Sequence, residues 1–247
     1  MDRVFMYDFG GKGIIVTGAS RGLGAALAHA FAAEGANVAL LARGAEAARA
    51  KAMELKKALG VDAVGRECDI RDWRRVEAVL HEIAERFGRL DLVVNNAGVL
   101  GAMATIPDYP MEMWEPTIAT NLSGAFYVSR VAAAHMRQHG GGRIVFVGSS
   151  VGHTPRETWG AYAVSKYGVE GLMRLMAAET PTTHVTVCSV NPGGTATEMR
   201  RRAYPAEDQS LLPSPAKVAA AFLRILRLDD RELNGRSFNA RDFLPQG

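Results

Sequence analysis

The chain has 247 residues, 48% hydrophobic and 22% charged, with a formal net charge of +3. That balance belongs to a globular chain with a substantial core and excludes a disordered or fibrous one. No apolar run reaches the ~18 residues that cross a bilayer, and two cysteines, Cys68 and Cys188, cannot form a disulfide framework. The opening Met1–Asp8 lacks the apolar core of a secretory signal, so a reduced, cytoplasmic protein is expected. Basic residues are scattered apart from Arg71 with Arg74-Arg75 and the run Arg200-Arg201-Arg202. No basic stripe is interleaved with aromatics, so neither a nucleic-acid nor a membrane partner is expected.

From Gly13 to Asn191 short β-branched runs alternate with segments of helical period. The pattern predicts strands at Ile14–Thr17, Asn37–Ala42, Asp62–Cys68, Asp91–Asn95, Arg143–Gly148 and Val185–Val190, and a weaker one at Phe238. Helices are predicted near 22–34, 44–59, 72–87, 112–138 and 160–179. The strand runs are nearly continuous in hydrophobicity, as strands buried on both faces require. The expected fold is α/β: one doubly wound parallel sheet of about seven strands, with residues 1–247 as a single domain. In such a sheet ligands bind beyond the carboxyl ends of the strands, so motifs there carry functional weight.

After the first strand comes Thr17-Gly18-Ala19-Ser20-Arg21-Gly22-Leu23-Gly24. Its glycines allow a tight turn and close approach to a pyrophosphate, and the next helix offers its N-terminal amides. The second strand ends in Leu41-Ala42-Arg43-Gly44, without the acid that would hold a ribose hydroxyl. Arg43, joined by Arg21, suits a 2′-phosphate, so NADP(H) is expected in preference to NAD(H). After the third strand stand Asp69 and Ile70; the Asp69 carboxylate could accept from an adenine amino group or cap the third helix. Asn95-Asn96-Ala97-Gly98 follows the fourth strand, small and polar where backbone must lie against a nucleotide. Asn191-Pro192-Gly193-Gly194-Thr195-Ala196-Thr197 follows the sixth, a turn whose amides and hydroxyls could hold a carboxamide.

Around the fifth strand lies the stretch Ser149-Ser150-Val151-Gly152, then Tyr162-Ala163-Val164-Ser165-Lys166. Tyr162 and Lys166 stand at i and i+4 and share a helix face. A lysine charge about 4 Å from the phenol contributes roughly 4 kcal/mol at an effective dielectric of ~20, enough to bring a tyrosine toward working range. His135 and His139 are also at i and i+4 but lack the acid of a metalloprotease helix, so no metal site is expected.

In this order the motifs T-G-x-x-x-G-x-G, N-N-A-G, the Asn of T-N-L, S-S-x-x-G, Y-x-x-x-K and N-P-G resemble the short-chain dehydrogenase/reductase family, over about residues 10–240. The resemblance implies a Rossmann fold and interconversion of a carbonyl with a secondary alcohol. By that likeness Tyr162 is the acid–base, Lys166 lowers its pKa and holds the ribose, Ser149 orients the carbonyl, and Asn121 holds a proton-relay water. The family's cofactor positions fall on Gly18, Ser20, Arg21, Gly22, Leu23, Gly24, Arg43, Asp69, Ile70, Asn95, Asn96, Ala97, Gly98, Tyr162, Lys166, Pro192, Gly193, Thr195 and Thr197. It also implies a homodimer or homotetramer through the fourth and fifth helices.

Substrate identity rests on the loops after the fifth and sixth strands. Trp159 could wall a pocket or pack the sheet edge. The loop near 198–213 reads as a solvated, salt-bridged lid, or as an anion site through Arg200–Arg202. Acyl-carrier-protein ketoreductases of the family dock their carrier with two basic residues, and Gly140 and Thr183 stand at the matching positions, which weighs against a 3-oxoacyl thioester substrate. A bacterial subgroup of uncharacterised oxidoreductases is closer in pattern. The alternative from a different class is a catalytically idle NADP(H)-binding sensor or scaffold.

Overall fold

The computed structural model describes residues 7–180 and 183–245; most of the opening segment read above for a signal lies outside them. The strands are β1 (Gly13–Thr17), β2 (Asn37–Ala42), β3 (Ala63–Glu67), β4 (Leu92–Asn95), β5 (Gly142–Val147), β6 (Val185–Asn191) and β7 (Ser237–Asn239). They form one sheet in the order β3-β2-β1-β4-β5-β6-β7, with every pairing parallel. The helices are α1 (Gly22–Ala33), α2 (Ala45–Leu59), α3 (Trp73–Phe87), α4 (Met111–Ile118), α5 (Gly124–Gln138), α6 (Gly160–Glu179), α7 (Glu198–Ala203), α8 (Pro215–Ile225) and α9 (Asp230–Leu233).

The unbroken hydrophobicity of the strands has a direct cause. In β1, Ile14 and Val16 enter one core cluster while Ile15 enters the other, so both faces of the sheet are covered. Leu27, Phe31 and Phe222 of α1 and α8 fill the first cluster. Leu80, Ile83, Val128 and Met173 of α3, α5 and α6 fill the second. Burying each such side chain contributes roughly 1.5–3 kcal/mol.

Three local outcomes depart from the sequence expectation. The predicted helix over 112–138 is broken into α4, a π-turn at Ala119–Ser123, and α5. Pro116 lies inside α4 and brings no backbone N–H, and the ladder shifts to an i→i+5 bond from the Gly124 N–H to the Ala119 carbonyl. Helix α3 is capped by Asp72, whose carboxylate accepts from the Arg74 and Arg75 amides, so Asp69 is not the cap. Helices α7 and α8 were not anticipated, although Ser214 caps α8 and Pro215 opens it in the usual manner of a helix start.

The chain winds outward from β1 to β3, then returns so that β4 pairs with β1 on its other side. That reversal between β1 and β4 is the switch point at which the carboxyl ends of the strands open a crevice.

Candidate active site

Thr17, at the end of β1, fastens the switch point. Its hydroxyl accepts from the Asn96 and Ala97 amides, each at 3.0 Å, and donates to the Val94 carbonyl at 3.3 Å. The Asn96 amide then donates back to the Thr17 carbonyl at 2.8 Å. The glycine turn and the loop after β4 are thereby locked together. Gly18 has φ +66°, and a Cβ there would lie 2.8 Å from the Ala97 Cα; one on Gly24 would lie 2.4 Å from the Gly18 carbonyl oxygen. Only glycine permits both this turn and this approach.

Gly22, by contrast, faces open space: a Cβ there would meet only the Thr197 methyl, at 3.7 Å. The residue at the N-cap of α1, Arg21, supplies no side-chain cap, and no acid lies in the first turn. The amides and the positive dipole end of α1 therefore point uncompensated into the crevice, the condition for holding a phosphate anion. The crevice is a cleft of about 1230 Å³, beyond the roughly 300–1,000 Å³ of a site for one small ligand. These features fit a dinucleotide with a second, smaller molecule beside it.

One wall carries Gly18, Ser20, Arg21, Gly22, Leu23, Gly24, Arg43, Asp69, Ile70, Asn96, Ala97 and Gly98, and another Ser149, Tyr162, Lys166, Pro192, Gly193, Thr195 and Thr197. Asn95 is not among the lining residues. It is buried, and its amide donates to Ser129 on α5 at 2.9 Å, so its side chain braces the helix behind the sheet. The Asp69 carboxylate is held by Arg71, through both Nε at 3.0 Å and the Arg71 amide at 3.0 Å. That contact, with Arg43 nearby, holds Asp69 below the usual carboxylate range.

The catalytic candidates meet on the floor of the cleft. Tyr162 and Lys166 project from α6, and both are buried. The Lys166 Nζ donates to the Val147 carbonyl at 2.7 Å and lies 5.6 Å from the centre of the Tyr162 ring. Burial pushes the phenol above its ordinary pKa, opposed by its hydrogen bond with Ser149. Burial also lowers the Lys166 amine to about 8, with the Glu170 carboxylate pulling the other way. Burial thus acts on both groups in the direction of their neutral forms. Asn121 sits in the π-turn, where its side chain brackets Val99 through bonds of 2.8 and 2.9 Å and donates to Ser165 at 3.0 Å.

The far end of the cleft is aromatic and charged. Thr158 enters α6 with φ +67°, strained for a β-branched residue. Trp159 follows; its ring lies 5.4 Å from that of Tyr162 and 6.0 Å from that of Tyr204, so it walls the pocket. Arg200 on α7 forms a two-pronged pair with Glu207, both bonds 2.6 Å, and stacks 3.8 Å over the Tyr204 ring. Arg201 pairs with Glu198, and Arg156 reaches across to the Tyr204 hydroxyl at 3.3 Å. The loop near 198–213 is thus a salt-bridged lid. Away from the cleft, His135 and His139 stack at 4.0 Å, with Nδ1 of His139 on the His135 carbonyl.

The family model described as short chain dehydrogenase matches residues 12–208. This chain is a short-chain dehydrogenase/reductase. It is 34% identical over 230 residues to the uncharacterised oxidoreductase YciK of Escherichia coli strain K12, covering 92% of this chain and 91% of that protein. It is 35% identical over 226 residues to the D-threitol dehydrogenase of Mycolicibacterium smegmatis, covering 88% and 86%. A solved short chain dehydrogenase from Escherichia coli CFT073 complexed with NADPH superposes with a TM-score of 0.88 at 33% identity, covering 96% of this chain and 98% of that one. As a short-chain dehydrogenase/reductase it is an NAD(P)-dependent oxidoreductase acting between alcohol and carbonyl groups. Of the two readings of Trp159 the structure takes the pocket wall; sequence reading passed over Arg156 and Arg241 of the cleft lining and the tie made by Thr17, visible as the leading residue of the glycine motif.

Proposed function

We propose that this short-chain dehydrogenase/reductase is an NADP(H)-dependent reductase of ketones, and in reverse a dehydrogenase of secondary alcohols. The observation that carries the reading is the shared cleft: the Tyr162 phenol, bonded to Ser149, and the Lys166 amine line the same cavity as the glycine turn. Bound there, NADPH supplies the hydride; the chain supplies orientation and a proton. Ser149 donates to the substrate carbonyl, and Tyr162 delivers its proton to that oxygen as negative charge develops. Burial favours this direction, since it keeps the phenol protonated until the transfer. Lys166 holds the ribose hydroxyls and restores the phenol's proton.

The pyrophosphate would lie on the α1 N-terminus against Gly18–Gly24, the adenine against Asp69 and Ile70, and the carboxamide against Pro192, Gly193, Thr195 and Thr197. Preference for the 2′-phosphate rests on Arg21 and Arg43, exposed cations lining the cleft where no acid closes β2. The NADPH-bound relative supports the same preference. The walls formed by Leu100, Val151, Trp159, Met199 and Ala203 suit a ketone with an apolar or aromatic body. Assembly as a homodimer or homotetramer is supported by Phe126, Val164, Tyr167 and Leu175, exposed apolar residues of α5 and α6; a monomer mass in light scattering would sink it.

The deciding experiment follows NADPH oxidation against quinones, α-diketones, steroids, acyl thioesters and aryl ketones, with Tyr162→Phe as control. The expected result is turnover on an apolar ketone, lost about 10³-fold in the variant with NADPH binding intact. Cofactor binding without turnover on any of these would favour the idle sensor instead.

A further inference from the structure

One turn beyond Lys166 on α6 stands Glu170, a buried carboxylate with only 3% of its surface exposed, which the reaction above does not use. Its surroundings are specific. Oε2 accepts from Ser189 of β6 at 2.9 Å and from Ser237 of β7 at 2.6 Å. Oε1 lies 3.4 Å from Nε2 of His153, which closes the turn bearing Ser149, and makes no hydrogen bond among the described residues. A Cβ on Gly148 would come within 2.8 Å of that same Oε1. The Lys166 ammonium, for its part, donates to the carbonyl of the neighbouring residue, Val147. The two side chains therefore reach the end of β5 at consecutive residues, one turn apart on a single helix face.

We infer that Glu170 is a positioning residue, the fixed counter-charge of the Lys166 ammonium, pinned by hydroxyl donors from β6 and β7. Isolated carboxylates are rarely left in a protein interior unless paired and hydrogen-bonded; the serine hydroxyls bring no positive charge, His153 beside Oε1 is part-exposed, and the buried cation on the same helix face is Lys166. The titratable groups facing Glu170 are Lys166 on its own helix, His153 on the loop after β5 and Cys188 on β6; β7 contributes the Ser237 hydroxyl. Lys166 additionally faces Tyr162. Without the carboxylate, desolvation would strip the ammonium of its proton at lower pH, and with it the charge that serves the phenol. The inference rests on the reading of Tyr162 and Lys166 as the working pair, and its test separates the two.

Competitive acetylation of Lys166 by acetic anhydride, read by mass spectrometry against pH with and without NADP⁺, reports its titration with no need for turnover. In Glu170→Gln the half-labelling pH is expected to fall by about one unit or more. The alkaline limb of kcat/KM for ketone reduction should move down with it while KM for NADPH holds. That limb belongs to the coupled Tyr162–Lys166 pair. Glu170→Asp, with its carboxylate retracted by one carbon, should give an intermediate curve. A labelling curve that coincides with wild type in a folded Glu170→Gln, or in Glu170→Asp where only that variant folds, overturns the inference. A labelling shift in a protein that reduces no ketone upholds it and sinks the catalytic reading alone.

Discussion

At the glycine-turn end the cleft is walled by main chain and buried groups: Thr17 ties β1 to β4, Asn96 holds the turn, and Gly24 packs on Gly18. At the lid end the walls are side chains on short, exposed segments, joined by Arg200 to Glu207 and by Arg156 to Tyr204. The first region cannot move without breaking the sheet. The second can be repacked by losing an ion pair or two, each worth only about 0–1 kcal/mol at a surface. The nucleotide end of the crevice is thus built into folding itself, while the lid end is held by contacts that cost little to change. The lid end is consistent with relatives that share this fold and differ in the substrates they are named for.

If the fixed region is tied to folding, changes there must register in stability. Lys166 gives the largest effect. Its folded pKa, about 8, lies below the ordinary value of 10.5. Below pH 8 both folded and unfolded chains carry the proton, and the burial penalty is present in full. Between about 8 and 10.5 the unfolded chain holds more protons, so stability rises with pH. Wild type should gain roughly 3 kcal/mol more than Lys166→Met across that window, in urea unfolding followed by circular dichroism. Parallel curves for the two proteins would remove Lys166 from the list of groups strained by burial.

Next in size is the cofactor's 2′-phosphate. Arg43→Asp should weaken NADPH about 10- to 100-fold, the loss of a charge-assisted bond, and spare NADH. The measurement is fluorescence titration with each nucleotide. Equal weakening of both would mean that Arg43 shapes the wall without reading the phosphate. Wild type binding NADH more tightly than NADPH would reverse the assignment.

The same division explains what the sequence could disclose. The strands were legible because burial on both faces leaves an unmistakable run, as in Ile14-Ile15-Val16. Tyr162 and Lys166 were legible because helix geometry alone brings them to one face. Asn95 and Asn96 were not separable: identical neighbours at a strand end point opposite ways, and only the structure turns one to Ser129 and the other to the glycine turn. The π-turn escaped because an i→i+5 bond at Ala119–Ser123 interrupts an otherwise regular period. Asp69 was ambiguous for a different reason, since a second aspartate three residues on, Asp72, was equally able to cap. The lid was read as salt-bridged from its mixed charges, but which arginine meets which acid depends on the path of the chain between them.

The smallest effect tests the lid directly. Glu207 neutralises Arg200, and both are only partly buried, at 29% and 25% side-chain exposure. Glu207→Gln should leave thermal stability almost unchanged, since such a pair contributes at most about 1 kcal/mol. The freed Arg200, still over the Tyr204 ring, then faces the cleft as an uncommitted cation. A ketone bearing a carboxylate, such as 4-oxo-4-phenylbutanoate, should show a KM lowered about twofold to fivefold relative to its methyl ester, with kcat unmoved for both. The acid–ester comparison matters because loosening the lid alone would change both substrates together, whereas a freed charge discriminates between them. A fall in thermal stability comparable to that of a core substitution would place the lid with the fixed region, and the contrast between the two ends of the cleft would not hold.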